Sequence, residues 1–384
     1  MPTASVVLEI LPAHEGDALL LACRARDRVH HILINAGTPS TAPTVHRRLQ
    51  AIPDARLDLL VVSHIDSDHI GGVAKLLADP TFNVKVDDIW FNGFKHLPTE
   101  RRVRGVADAK RLTALLTGTS MVGRNTPWNA AFNGSAVLRP DDLPDGSAVD
   151  PTLPVIKFTW GLTLTILSPT PKVLKELRKG WQKYLDDLHR GLPSRDTTQP
   201  LRAATRSQSL ADLAARKTLN DAAVPNGSSI AFLAEFAGRS LLFAADAHPT
   251  VLYPALLTLA RQRARLPTTV PASKVPPLKI DVFKLPHHGS SANVTIELLN
   301  LVKAHHYVIS TSGRRFKHPD EEAMARVITL GRRSRNAQHT LWFNYATATT
   351  MRWMHPALSG QYRYRTAGAS LESPGATIAL REKP

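Results

Sequence analysis

The chain of 384 residues is 43% hydrophobic and 6% aromatic, which provides material for a sizeable core and excludes a disordered or fibrous chain. No window approaches the roughly 18 to 20 consecutive apolar residues of a membrane span, so a soluble protein with no membrane partner is expected. Lysine and arginine (48) outnumber aspartate and glutamate (32), a formal charge of +16 that points to an anionic partner, nucleic acid first, or to a solvated basic surface.

In chain order, the first third reads as strands over 6–11, 18–23 and 30–35, a helix over 44–50, and a short buried strand over 59–62 that follows a Pro53-Asp54 turn. The one cysteine, Cys23, falls in a predicted strand as a small core residue and cannot form an intramolecular disulfide. With Met1-Pro2-Thr3-Ala4-Ser5 showing no secretory pattern, a reducing cytoplasm is the expectation.

Directly after the strand comes Ser63-His64-Ile65-Asp66-Ser67-Asp68-His69-Ile70-Gly71-Gly72. Two imidazoles and two carboxylates packed this tightly on a loop leaving a strand point to a divalent metal site, with a helix starting near Ile70 whose glycines permit close backbone approach.

The second half is predicted to run from 156 to the end, with strands over 162–167, 230–236, 240–245, 280–284 and 306–310. Residues 171–192 carry helical periodicity: Leu174, Leu177, Trp181, Leu185 and Leu188 share one face. Lys175, Arg178, Lys179 and Lys183 are interspersed, and this helix is expected over the mouth of the site, with a polar loop over 193–210 and a proline-bearing connector over 266–277. One domain spanning 1–384 is expected, with insertions near 95–150 and 171–225.

The first motif, read H-x-D-x-D-H, resembles the H-x-H-x-D-H signature of the metallo-β-lactamase superfamily, in the variant of the soluble domain of ComEC-type competence proteins. The likeness continues through Pro225-Asn226-Gly227-Ser228-Ser229-Ile230, Leu241-Leu242-Phe243-Ala244-Ala245-Asp246-Ala247 and Phe283-Lys284-Leu285-Pro286-His287-His288-Gly289-Ser290. It extends to Tyr307-Val308-Ile309-Ser310, Lys317-His318-Pro319-Asp320 and the closing stretch Tyr364 to Ile378. The resemblance implies an α/β fold, an αβ/βα four-layer sandwich, and a centre holding two divalent ions.

It further implies that His64 and Asp66 serve one metal, Asp68 and His69 the other, with Asp246 bridging and His288, or His287, as the last ligand. Asp68 would also orient the attacking water, and His318 is either the acid for the leaving group or a surface histidine at a helix start. Two positions depart from the pattern. Ser168 stands where an isolated histidine is expected, and Asn35 stands where an aspartate commonly orients the metal histidines. The oxygen-rich ligand set makes Mn²⁺ compete with Zn²⁺.

Joined to the basic surface, including Arg314 and Arg315, these residues point to a metal-dependent phosphodiesterase or nuclease acting on nucleic acid, DNA favoured. The alternatives are a hydrolase of a small lactone, thioester or nucleotide, and a non-catalytic binding or regulatory module with protein partners. Oligomeric state is not legible in the chain.

Overall fold

A computed structural model of the chain describes residues 5–26, 28–97, 107–117, 126–142, 151–179, 209–334 and 336–383. Its strands are β1 (Ser5–Ile10), β2 (Leu19–Ala25), β3 (Arg28–Ile34), β4 (Arg56–Leu57), β5 (Leu59–Val61), β6 (Lys85–Val86), β7 (Ile89–Trp90) and β8 (Val155–Lys157). They continue as β9 (Thr163–Ser168), β10 (Ala231–Phe236), β11 (Arg239–Phe243), β12 (Leu278–Lys284), β13 (Val302–Ile309), β14 (Thr340–Phe343), β15 (Arg365–Gly368) and β16 (Ala376–Arg381).

A six-stranded sheet has the order β16-β1-β2-β3-β5-β7, and an eight-stranded sheet the order β15-β14-β13-β12-β11-β10-β9-β8. The strands predicted in the first half appear with edges shifted by one or two residues. The short β7 and the strands β14 to β16 go beyond the sequence reading. β16 returns to pair antiparallel with β1, a long-range contact that local periodicity does not encode.

Alternation along the strands builds the layers. In the metal-motif segment, Leu59 and Val61 face a core shared with Ile166, Phe232, Leu241 and Val282 of the other sheet. Leu60 and Val62 face the opposite way, onto a core formed with the helices Ala42–Gln50 and Ser67–Ala78. The eight-stranded sheet packs its outer face on the helices Pro249–Ala264, Ile296–Leu301 and Glu321–Leu330. The result is the expected αβ/βα four-layer arrangement, with both faces of the central strands dry.

The functional edge follows from strand direction. β3, β5 and β7 are mutually parallel, as are β11, β12 and β13. Their carboxyl ends release Asn35, His64, Asp246, His288 and Ser310, and ligands in open α/β sheets gather beyond such ends. The β1–β2 connection opens on the same edge and brings Asp17. Gly16 makes that turn possible, since a Cβ there would lie 1.6 Å from the carbonyl oxygen of Asp68.

A helix over 171–179 follows β9 and buries Leu174 and Leu177 in the outer core of the six-stranded sheet. Trp181, Lys183, Leu185 and Leu188 lie outside the described residues, as does nearly all of the loop expected over 193–210.

Candidate metal centre

His64 leaves β5 fully buried, with its Nδ1 3.0 Å from Ser63 Oγ and 3.3 Å from Ser229 Oγ. Its Nε2 has no hydrogen-bond partner among the described residues and lies 3.6 Å from Asp66 Oδ2. Asp66 has extended backbone and accepts the N–H groups of His69 and Ile70 on its carbonyl, so the helix begins at Ser67. Asp68 and His69 therefore sit in its first turn, a correction to the expectation of a loop and a start near Ile70. A carboxylate in a first turn is favoured by the helix dipole.

Asp246 sits on the turn after β11, beyond Ala245 in the left-handed region, and its N–H donates to Ser229 Oγ at 3.2 Å. Its Oδ2 is the focus of the cluster. His69 Nε2 lies 3.4 Å from it, His288 Nε2 3.5 Å, and His64 and His287 Nε2 3.9 Å each. Asp68 Oδ2 stands 3.6 Å from His288 Nε2 and 3.8 Å from His69 Nε2. Both His287 and His288 are held at positive φ, 45° and 54°, which turns adjacent imidazoles toward one carboxylate.

The outer ring nitrogens fix the tautomers. His288 Nδ1–H donates to the Ser310 carbonyl at 2.8 Å, and His287 Nδ1–H donates to Asn293 Oδ1 at 3.0 Å beside Asp221 Oδ2 at 3.2 Å. Each thereby directs its Nε2 inward.

His69 differs. Asn35, at φ 58°, accepts Ser63 N–H on Oδ1 at 2.8 Å and so turns its Nδ2 toward His69 Nδ1 at 2.9 Å. The imidazole accepts there and carries its proton on Nε2. Asn35 engages an imidazole, but in a sense that opposes metal ligation by His69.

Burial and charge compete throughout. Burial disfavours a charged His288, yet the carboxylates of Asp246 and Asp17 outweigh it and push the imidazole up to about 10. Burial would raise Asp246, but the surrounding His288, His69 and His287 hold it well below the usual carboxylate range. His64 and His287 are likewise raised against burial, by Asp66 with Asp246 and by Asp246 with Asp221 respectively.

A buried cluster of this kind suits a divalent cation. Among the described residues, His64 Nε2 is buried without a hydrogen-bond partner, a costly state that a cation relieves. Imidazole and carboxylate donors together fit Zn²⁺ or Mn²⁺. His64, Asp66, Asp68, Asp246, His287 and His288 could hold such an ion, and His69 would join them only with its proton moved to Nδ1, a tautomer that the Asn35 amide disfavours.

The remaining predicted residues are placed as follows. Ser168 ends β9, buried, with a hydroxyl that has no hydrogen-bond partner among the described residues. His318 lies at the rim, its ring 5.3 Å from that of His287 and its Nδ1 2.9 Å from Asp320 Oδ1. Arg314 and Arg315 are exposed on the loop joining Ser310 to His318. Lys175 is exposed and Lys179 pairs with Glu176 at 3.0 Å. Arg178 instead turns inward, donating to the Leu97 carbonyl at 3.0 Å with its guanidinium over Phe94.

Sequence reasoning missed Asp17, Asp221 and the roles of Lys284 and Ser229. A Glu15-Gly16-Asp17-Ala18 turn before a strand is a common pattern and gave no warning that its carboxylate reaches the centre. Lys284, in the motif before His287 and His288, reads locally as a strand-end lysine.

With this geometry in view, no family model matches the chain and no curated protein matches it. Among solved structures it is similar to the metallo-β-lactamase fold protein YhfI from Bacillus subtilis, at 10% identity and a TM-score of 0.43, covering 98% of this chain and 100% of that one. The likeness is one of fold alone. It is not specific to ComEC-type proteins, and neither activity nor substrate is carried over from it.

Proposed function

We propose that the chain is a metal-dependent hydrolase, and more finely a phosphodiesterase acting on nucleic acid, with DNA favoured over RNA. The observation that carries the hydrolase reading is the convergence of four imidazole Nε2 atoms within 3.9 Å of Asp246 Oδ2, with Asp66 and Asp68 alongside. The donors divide into a His64–Asp66 side and a His69–His288–Asp68 side that share Asp246, which supports two ions, Zn²⁺ or Mn²⁺. Such ions supply positive charge for a phosphoryl transition state and acidify water.

The chain's own residues do the rest. Asp68, in a helix first turn, part-exposed and 3.6 Å from His288 Nε2, would orient an attacking water. His318 Nδ1–H donates to Asp320 Oδ1, and the doubly protonated ring would carry the Nε2–H that passes to a leaving oxygen, returning to the neutral Nδ1–H form. Both ends of the loop 310–318 touch the cluster, through Ser310 to His288 and through His318 to His287. That loop carries exposed Arg314, Arg315, Phe316 and Lys317 between those ends. Cationic side chains beside an exposed aromatic ring match a phosphate backbone and its bases.

The inward Asn35 amide also supports a second reading, a binding module that holds a ligand without turnover. Metal analysis coupled to cleavage assays on linear, circular and single-stranded DNA and on RNA separates them. Metal-dependent cleavage, lost in Asp246→Asn, is the expected result. A metal-loaded protein that cleaves none of these substrates nor a generic phosphodiester overturns the phosphodiesterase reading.

A further inference from the structure

Asp17 and Lys284 are each 1% exposed and form an ion pair beneath the centre. The Lys284 ammonium also lies 3.3 Å from the Ala245 carbonyl oxygen and 3.8 Å from Asp246 Oδ1. The four buried residues Asp17, His69, Asp246 and His288 bring one donor atom each within 4.8 Å of one another, so Asp17 looks at first like a metal ligand.

Its individual atoms say otherwise. Asp17 Oδ1 is 3.5 Å from His288 Nδ1, and Asp17 Oδ2 is 3.9 Å from His69 Nδ1. Both contacts fall on the ring edges opposite Nε2. The Nε2 atoms of the same two histidines lie 3.2 Å apart and face Asp246 Oδ2 on the other side. Asp17 stands behind the rings, where a carboxylate raises imidazole basicity rather than touching the metal.

Lys284 explains how that carboxylate is tolerated. Two buried carboxylates without counter-charge are strongly disfavoured, and one ammonium between them relieves both. By occupying the Oδ1 side of Asp246, Lys284 leaves Oδ2 as the atom presented to the histidines.

We propose that Asp17 and Lys284 form a positioning pair: Asp17 orients and polarises His288 from behind, adding negative charge to a centre where Asn35 adds none, while Lys284 neutralises it and fixes which oxygen Asp246 presents. The inference rests on the metal-binding reading above. It adds that neither residue coordinates the ion.

The test uses the full chain with Co²⁺ as a spectroscopic probe, chelator competition for affinity, and thermal melting with and without Co²⁺. Asp17→Asn is expected to keep the wild-type Co²⁺ d–d spectrum while weakening affinity about 10- to 100-fold. Lys284→Met is expected to lower the melting temperature without metal and to gain more from Co²⁺ than wild type does. The double variant, which removes both charges, is expected to recover melting temperature but not affinity. It keeps the test valid where a single variant fails to fold.

An Asp17→Asn spectrum of altered shape makes Asp17 a ligand and overturns the proposal. Wild-type affinity in the double variant overturns it as well. A wild-type protein that binds no Co²⁺, Zn²⁺ or Mn²⁺ sinks the metal reading itself, an outcome distinct from either.

Discussion

The Nδ2 atom of Asn35 lies 2.9 Å from Nδ1 of His69, and that single contact places the imidazole proton on the nitrogen that faces the metal-ligating cluster. The amide cannot turn without surrendering the Ser63 N–H that its Oδ1 accepts at 2.8 Å. Asn35→Asp would accept from both Ser63 N–H and His69 Nδ1–H, freeing His69 Nε2. Metal affinity is expected to rise about tenfold or more. Isothermal titration with Mn²⁺ and Zn²⁺ checks this, and an unchanged or weaker affinity contradicts the tautomer assignment.

Asp246→Asn is expected to abolish metal-dependent hydrolysis, since the one oxygen shared by His64, His69, His287 and His288 loses its charge. The fold should survive because Lys284 keeps its partner Asp17. Circular dichroism and a single-turnover assay are sufficient, and wild-type turnover in a folded variant would remove Asp246 from the centre.

Asp66 has a side chain 41% exposed, so an imidazole fits there without repacking the core. Asp66→His should shift competitive loading from Mn²⁺ toward Zn²⁺, the softer ligand favouring the softer ion. Equal metal ratios in the two proteins, measured by elemental analysis, would count against this role for Asp66.

For nucleic acid, the residues to neutralise are Arg314 and Arg315, with Lys175 and Lys179 as a second set. Arg178 is excluded because it is committed to Leu97 and Phe94. Each lost phosphate contact should reduce the slope of log affinity against log salt by roughly one unit. Hydrolysis of bis(p-nitrophenyl) phosphate, which needs the centre but not the path, should persist. A salt slope equal to wild type in both sets makes these cations a solvated surface.

Acid stability offers a check away from the centre. His339 is buried against Tyr307 and Tyr364 with neither ring nitrogen hydrogen-bonded among the described residues, and burial together with Arg332 pushes it down from 6.5 to about 4. Between those values the unfolded chain binds a proton that the folded chain does not. Its contribution is intact above pH 6.5 and is lost as pH falls toward 4, on the order of 3 kcal/mol in all. His306, also held at about 4, adds a similar slope. His339→Leu should therefore reduce the loss of stability between pH 7.5 and 4.5 by about 2 kcal/mol, read from urea midpoints. An unchanged loss would mean that His339 is not the responsible group.

The sequence by itself determined what depends on neighbours along the chain. Alternating and continuous apolar runs marked the strands that carry the centre, and the tight His64-to-His69 spacing marked the ligands, because side-chain period and ligand density are local properties. The second half of the motif set, Asp246 with His287 and His288, was legible only through the resemblance of the surrounding motifs, because an aspartate or a His-His pair after a strand is locally an ordinary turn.

Only the tertiary structure decided what depends on atoms far apart in the chain. That Asp17 lies behind His288, that Lys284 sits between two carboxylates, and that Asp221 holds His287 follow from packing the β1–β2 turn, β12 and the end of an insertion onto one edge. The pairing of β16 with β1 and the inward turn of Arg178 are decided in the same way. Asn35 shows the division within a single residue: its identity foretold a departure at the centre, but which end of its amide meets His69 is fixed by Ser63, 28 positions away.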